Sequence, residues 1–268
     1  GKNIGGLIEE KYDTRQYPYG ALARRTIGYV KDNSKSNGNN MIGLEGKYNY
    51  ILHGNEGSEW KRITVGKKWI PDFDSTIVKA KNGMDLLTTI DINMQDIADK
   101  IFRKNLADES DIEGGCVIIL DVKTGAIRTM VNLRKNKDGG YNESYNYAIG
   151  RAGDPGSVFK LTTLMTLLED GKVSLQDMVP TFGGEWVHKG VRFKDSYLKN
   201  KGDKISVKDG LKISSNHVFR YLACQNYDND PERFIEKLYE YKLNEQFDFD
   251  LMGLAAPKIP KPSDKNWN

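Results

Sequence analysis

Three short stretches of this 268-residue chain hold the side chains best suited to covalent chemistry. Ser157 and Lys160 stand in "PGSVFK", behind a Pro-Gly pair; Ser214, Ser215 and Asn216 form "SSN"; Lys123, Thr124 and Gly125 form "KTG". A serine hydroxyl is a poor nucleophile near neutral pH, so it reacts only where a base lies within hydrogen-bond reach and donors hold the oxyanion. Three residues of helix bring Lys160 back onto the face of Ser157. The free N–H groups and positive dipole end of a helix start also favour developing negative charge. To take a proton the amine has to be neutral, which burial beside polar donors or cations arranges by lowering its pKa. Ser214 supplies a second hydroxyl for moving a proton, and Asn216 a carboxamide to hold a substrate amide and the lysine.

Spacing alone leaves a plainer reading open. Ser-x-x-Lys occurs three times, at Ser58/Lys61, Ser157/Lys160 and Ser196/Lys199, and Ser-x-Asn occurs again at Ser144/Asn146. Serine is a common helix cap, so Ser157 also fits an ordinary polar helix start. Of the three matches, only the Ser157 pair follows a Pro-Gly turn at the mouth of a long apolar helix. Lys123–Gly125 lies between two β-rich runs in an Asp-x-x-x-Gly setting, which is turn chemistry.

The elements that must position these residues follow from periodicity. Residues 1–82 are rich in Gly, Asn, Lys and Tyr, with loop stretches at 31–40 and 52–61, and read as short strands and loops. From residue 83 the texture changes: Leu86–Ile90 reads as a strand, and Met94, Ile97, Ala98, Ile101 and Phe102 fall at helical spacing. Residues 114–132 read as a β-hairpin around "DVKTG". Leu161, Leu164, Met165, Leu167 and Leu168 make an apolar stripe on a helix that Gly171 ends, expected to be buried against a sheet. Residues 206–226 read as helix, turn at Ser214–Asn216, helix; residues 230–243 form a further helix with Asp230 as cap and Pro231 at its first position. Past Phe249 the chain is rich in Pro and Lys and runs out in "SDKNWN"; it holds no internal repeats.

Composition removes several function classes. The net charge of +3 arises from 40 basic and 37 acidic residues spread along the chain, so no nucleic-acid footprint stands out. Mean hydropathy is −0.61 and no apolar run approaches the roughly 18 residues of a membrane span. "GKNIGGLIEE" carries no export-signal pattern. Cys116 and Cys224 lack metal-ligand or CxxC spacing and are expected as two buried thiols; His53, His188 and His217 are scattered. No metal and no cofactor is expected.

The order "PGSVFK" then "SSN" resembles the class B penicillin-binding proteins, the D,D-transpeptidases that cross-link peptidoglycan, whose signature is S-x-x-K, S-x-N, K-[TS]-G. The resemblance extends to "RQYPYGALARRTIGYV" (15–30), "GLEGKYNYILHGNEG" (43–57), "TTIDINMQDIADK" and "VIILDVKTGAIRTMV", nearly the whole chain. It implies a fold of the α/β class, α+β type: the penicillin-binding transpeptidase or serine β-lactamase-like fold, here an incomplete antiparallel sheet with helices behind a smaller β-rich segment. It implies that Ser157 is acylated by a donor peptide and by β-lactams, Lys160 takes its proton, Ser214 passes protons to the leaving amine and Asn216 binds the substrate amide. The Ser157 N–H would be half of the oxyanion hole. The sole K-T-G, Lys123–Gly125, precedes Ser157, so the third motif is missing and the chain is expected to be truncated before it, impaired in turnover and in β-lactam acylation. Residues 1–82 would then belong to a non-catalytic pedestal or dimerisation-like region, and 83–268 to the N-terminal portion of the transpeptidase domain without its last strands. Implied partners are peptidoglycan stem peptides, β-lactams bound covalently at Ser157, and, in the full-length protein, divisome proteins and a glycosyltransferase. The implied place is the cell envelope, as the extracytoplasmic part of a single-pass inner-membrane protein, with "RRTIGYV" leaning toward the cell-division branch. A penicillin-sensing receptor domain, a class D-like β-lactamase and a non-catalytic scaffold of the division or elongation machinery stand as alternatives.

Overall fold

The computed structural model describes residues 15–31, 41–71, 77–109, 111–246 and 248–264; the first fourteen residues, most of the 31–40 loop and the end of "SDKNWN" lie outside the described residues. Two compact units form, Gly1–Arg151 with Phe249–Ala255, and Ala152–Asp248 with Ala256–Asn268.

The first unit opens with short elements: α1 (Arg24–Ile27), β1 (Tyr29–Val30), β2 (Met41–Ile42), α2 (Gly43–Lys47) and α3 (Asn49–Leu52). β1 and β2 pair antiparallel with Tyr29 opposite Ile42. The backbones approach so closely that a Cβ on Gly28, at φ +82, would lie 1.8 Å from the Ile42 carbonyl oxygen, so only glycine fits. β3 (Lys61–Ile63) and β4 (Trp69–Pro71) form a separate ribbon. This region therefore mixes short helices with its strands and loops.

α4 (Ile92–Ala107) starts at Asp91, whose carboxylate accepts the Asn93 and Met94 N–H groups. It lies on an antiparallel sheet of β5 (Gly114–Leu120), β6 (Ile127–Lys135) and β7 (Tyr141–Asn142). Thr129 to Leu133 of β6 are all buried, and the two-residue pleat sorts them: Val131 and Leu133 pack with Leu106, Ala98 and Phe102, while Met130 packs with Ile149 of α5 (Tyr147–Gly150) and Leu251. The fully buried Gln95 of α4 joins helix to strand, donating to the Met130 carbonyl at 3.0 Å and accepting its N–H at 2.8 Å. Ile97 and Ile101, at the helical spacing the sequence shows, are 58% and 57% exposed on one wall of an open apolar groove shared with Val117 and Ile119. Leu86–Ile90 is not a strand: it is tied to β6 by the Thr89 hydroxyl on the Ile127 carbonyl rather than by a backbone ladder.

In the second unit a 3-10 turn, Gly156–Val158, runs into α6 (Phe159–Glu169). β8 (Met178–Pro180) pairs with β11 (Lys204–Ser206), and β9 (Glu185–His188) forms a hairpin with β10 (Val191–Lys194). α7 (Val207–Lys212), α8 (Asn216–Tyr227) and α9 (Pro231–Glu240) follow, the last capped by Asp230 as its sequence indicates. Leu164 and Leu167 of α6 join Val179, Leu198, Val207 and Val218 in the core. α6 packs on α8 and α9 rather than on a sheet, and Leu161, Met165 and Leu168 remain 54%, 39% and 38% exposed, so the expected five-residue stripe buries only its centre. Gly171 ends the helix at φ +65, as expected. The expectation of two buried thiols fails: Cys116 is exposed because its position on β5 points away from α4, and Cys224 is half-buried.

Candidate active site

Ser157 sits inside the first turn that leads into α6, exposed, and Lys160 one turn later is only 9% exposed. The Lys160 amine reaches the Ser157 hydroxyl at 2.9 Å, so the i, i+3 geometry read from sequence holds. From the opposite side Ser214 offers two atoms to the same amine, its hydroxyl at 2.9 Å and its carbonyl at 2.6 Å. Three of the four residues singled out by sequence thus converge on one nitrogen. Asn216, the fourth, is exposed as the first residue of α8.

The turn that carries Ser214 is a helix stop of unusual composition. The Ser214 N–H bonds the Leu211 carbonyl and the Ser215 N–H bonds the Gly210 carbonyl, both at 2.9 Å, which is the paired closure of a Schellman end. Its left-handed position is normally glycine, yet Ser214 holds φ +53. A non-glycine residue there costs about 1–2 kcal/mol. That cost is what aims both the hydroxyl and the carbonyl at Lys160.

Ser215, fully buried, caps α8 through its hydroxyl, which accepts the Val218 N–H at 3.2 Å. The same hydroxyl donates to Asp195 at 2.7 Å, and Asp195 also accepts the His217 N–H at 3.1 Å and the Tyr197 N–H at 3.2 Å. Burial pushes the Asp195 carboxyl up, but these bonds, with the Asn216 N–H, outweigh it and hold the pKa below the usual carboxylate value. Asp195 is the residue sequence reasoning missed. Its one local signal was an Asp two residues before Tyr197, an Asx turn, because its other partners lie about twenty residues downstream.

Burial lowers the Lys160 pKa from its ordinary value, and the charge of Arg220 lowers it further against the opposing pull of Asp195. A less basic amine hydrogen-bonded to an exposed hydroxyl at a helix start has the parts of a serine nucleophile with its general base. The rival matches carry no such set. Lys123–Gly125 turns the β5–β6 hairpin in the first unit, with the Lys123 N–H on Asp121 at 3.0 Å and Gly125 at φ +73. Ser58 makes an isolated β-bridge to Val78, and Ser196 opens the short 3-10 turn Ser196–Leu198.

Known proteins share this arrangement of chain. Penicillin-binding protein PbpB of Mycolicibacterium smegmatis is 27% identical over 259 residues, covering 94% of this chain and 38% of its own length. Peptidoglycan D,D-transpeptidase FtsI of Buchnera aphidicola is 27% identical over 262 residues, covering 95% of this chain and 43% of its own. The chain therefore spans well under half the length of these relatives. Among solved structures, penicillin-binding protein 2X of Streptococcus thermophilus superposes with a TM-score of 0.71 at 18% identity, over 92% of this chain and 38% of that one, which supports the fold. Residues 115–266, more than half of the chain and including Ser157, Lys160, Ser214 and Asn216, match the penicillin binding protein transpeptidase domain. The chain belongs to the family of penicillin-binding protein transpeptidases.

Proposed function

We propose that this chain carries the acylation half-site of a peptidoglycan D,D-transpeptidase. The reading rests above all on the Lys160 amine, which lies 2.9 Å from both the Ser157 and Ser214 hydroxyls. Ser157 Oγ attacks the carbonyl carbon of a donor stem peptide while its proton passes to Lys160 Nζ. The oxyanion faces the N–H of Ser157 at the helix start, where the dipole favours it. The leaving amine takes the proton back through Ser214, leaving a serine ester that the amine of a second stem peptide resolves. Asn216 binds the peptide amide at the exposed lip of the same turn. A β-lactam acylates Ser157 by the same first step.

In this reading residues 1–82 form a non-catalytic region and residues 83–268 part of the transpeptidase domain; the protein works at the outer face of the cytoplasmic membrane, at division, with divisome proteins and a glycosyltransferase. Among the described residues no helix is long and apolar enough to cross a membrane. The 268 residues contain no K-[TS]-G after Asn216, the motif whose strand would give the second oxyanion donor. Loss of one such donor costs about a hundredfold or more. Incubation with excess benzylpenicillin followed by peptide mapping is expected to place an adduct on Ser157, absent from Ser157→Ala. An adduct on another residue, or equal labelling of the Ser157→Ala variant, contradicts the assignment.

A further inference from the structure

The histidines and cysteines are scattered along the sequence, yet folding gathers one of each with a carboxylate in the second unit. His188 ends β9, Cys224 lies in the last turn of α8, and Asp228 follows four residues later at the helix C-cap. The His188 Nε2 atom is 2.8 Å from Asp228 Oδ2, and ligand atoms of all three residues lie within 4.8 Å of one another. We propose that His188, Cys224 and Asp228 bind one zinc-class divalent cation, with water as fourth ligand, that fastens the β9–β10 hairpin to the end of α8.

The donor set decides the class of ion. One thiolate, one imidazole and one carboxylate suit zinc and its neighbours, whereas magnesium and calcium take oxygen alone. The spacing Cys224/Asp228 puts two ligands on one helix face, and the third arrives from a strand, so the ion would bridge elements. His188 is held in place: Trp186 stacks on its ring with centroids 4.8 Å apart and planes 24° apart. Its Nε2 is shut off from solvent and, despite the nearby carboxylate, has no well-directed hydrogen bond. Ligands about 2.0–2.3 Å from zinc at tetrahedral angles stand roughly 3.5 Å apart, so a pair as far apart as 4.8 Å closes by about 1 Å and the His188–Asp228 pair at 2.8 Å opens slightly.

Two cations face the cluster. Lys189 pairs with Asp228 Oδ1 at 3.2 Å, but its side chain is 68% exposed and swings away on binding. Burial, and after it the charge of Asp228, push the Cys224 pKa up, while the charges of Lys189 and then Arg220 oppose the rise without cancelling it. On binding, the thiol proton goes to solvent as the sulfur–metal bond forms, and the imidazole binds neutral. β10 leads straight into Asp195 and α8 begins at Asn216, so the ion would brace both supports of the Ser214 turn.

The test titrates the 268-residue chain with cobalt(II), the spectroscopic stand-in for zinc, and then with zinc. One equivalent of cobalt is expected to give a near-ultraviolet sulfur-to-cobalt band that zinc abolishes by displacement, together with a rise in Tm. Groups that merely orient a metal's ligands are worth about 10–100-fold in metal affinity, so His188→Gln and Asp228→Asn, which alter ligands themselves, are expected to weaken binding by at least that much. Cys224→Ser, which changes one atom and keeps the fold by far-ultraviolet circular dichroism, removes the band, and Cys116→Ser leaves it intact. Absence of binding, cobalt bound without the sulfur band, or parent-like affinity in Cys224→Ser overturns the proposal.

Discussion

Three oxygens surround the Lys160 amine, a set that fits either the three N–H groups of an ammonium or the two N–H groups and lone pair of the neutral amine that the mechanism requires. The Ser214 carbonyl can only accept, so it takes one N–H; the Ser214 hydroxyl takes a second. A neutral amine then has one lone pair left, and the Ser157 hydroxyl at 2.9 Å is placed to donate into it. An ammonium would instead press a third N–H on the nucleophile and block it. Ser214 makes this possible at the expense of backbone strain, which gives a paired expectation. Ser214→Gly relieves the left-handed conformation at φ +53 and raises the stability of the second unit by about 1 kcal/mol in chemical denaturation. The same change lowers the rate of Ser157 acylation, because the carbonyl remains but the hydroxyl is gone. Equal or faster acylation in that variant contradicts a role for the side chain. The Ser157–Lys160 pairing was legible in sequence because a helix fixes i, i+3 neighbours whatever the rest of the fold does. Asp195 was not, since a buried carboxylate declares itself only when donors from Ser215 and His217 fold onto it.

α6 carries the site at one end and an anchor at the other. Asp170, at its C-terminus, is 6% exposed in its side chain and meets the Arg233 guanidinium of α9 at 2.7 Å and the Tyr227 hydroxyl of α8 at 3.0 Å. The Arg233 pairing holds the Asp170 carboxyl below its usual range. Removing one partner of a buried charge leaves the other unsatisfied, so Asp170→Ala is expected to destabilise the unit by about 2–4 kcal/mol, read as a fall in the denaturation midpoint. A loss under about 0.5 kcal/mol would mean the three helices are held by their apolar contacts alone. Element type was readable wherever a local rule sufficed: Asp230 and Pro231 at a helix start, Gly171 at a helix end, "DVKTG" in a hairpin. What a helix packs against was not. α6 has the composition of a helix laid on a sheet, but its neighbours are α8 and α9, a choice made by residues forty to seventy positions away. Leu86–Ile90 failed for a related reason: its leucines and β-branched residues suit a strand, yet Thr89 reaches β6 through its side chain.

Across the whole chain the two units respond differently to pH. In the first, Glu143 accepts the Arg25 N–H at 2.8 Å and the Asn132 N–H at 3.5 Å, and burial, only partly offset by those bonds, pushes its pKa from 4.5 to about 7. A folded pKa above the unfolded one means the folded state binds the proton more tightly. Its contribution is full below about 4.5 and is lost as pH rises to about 7. The size is on the order of 1–3 kcal/mol. Thermal unfolding is expected to show Glu143→Gln closing this loss, with Tm equal to the parent at pH 5 and higher at pH 8; parallel curves would rule the group out. In the second unit Asp170 and Asp195 have lowered pKa values, so their contribution is present above the ordinary carboxylate range and is lost as pH falls through the lowered values. The family was readable from the order of two short motifs. The division into units at residue 151 was not, because the segment 249–255 that joins the first unit arrives from the far end of the chain.

Acylation at Ser157 requires an uncharged amine beside the hydroxyl, and the titration of that amine tests the requirement most directly. Selective labelling of lysine side chains, with the resonance assigned through Lys160→Arg, allows its protonation to be followed by NMR. Lys160 is expected to titrate below the ordinary 10.5 of lysine, ahead of the surface lysines. A midpoint at or above 10.5 would leave Ser157 without a base and contradict the mechanism.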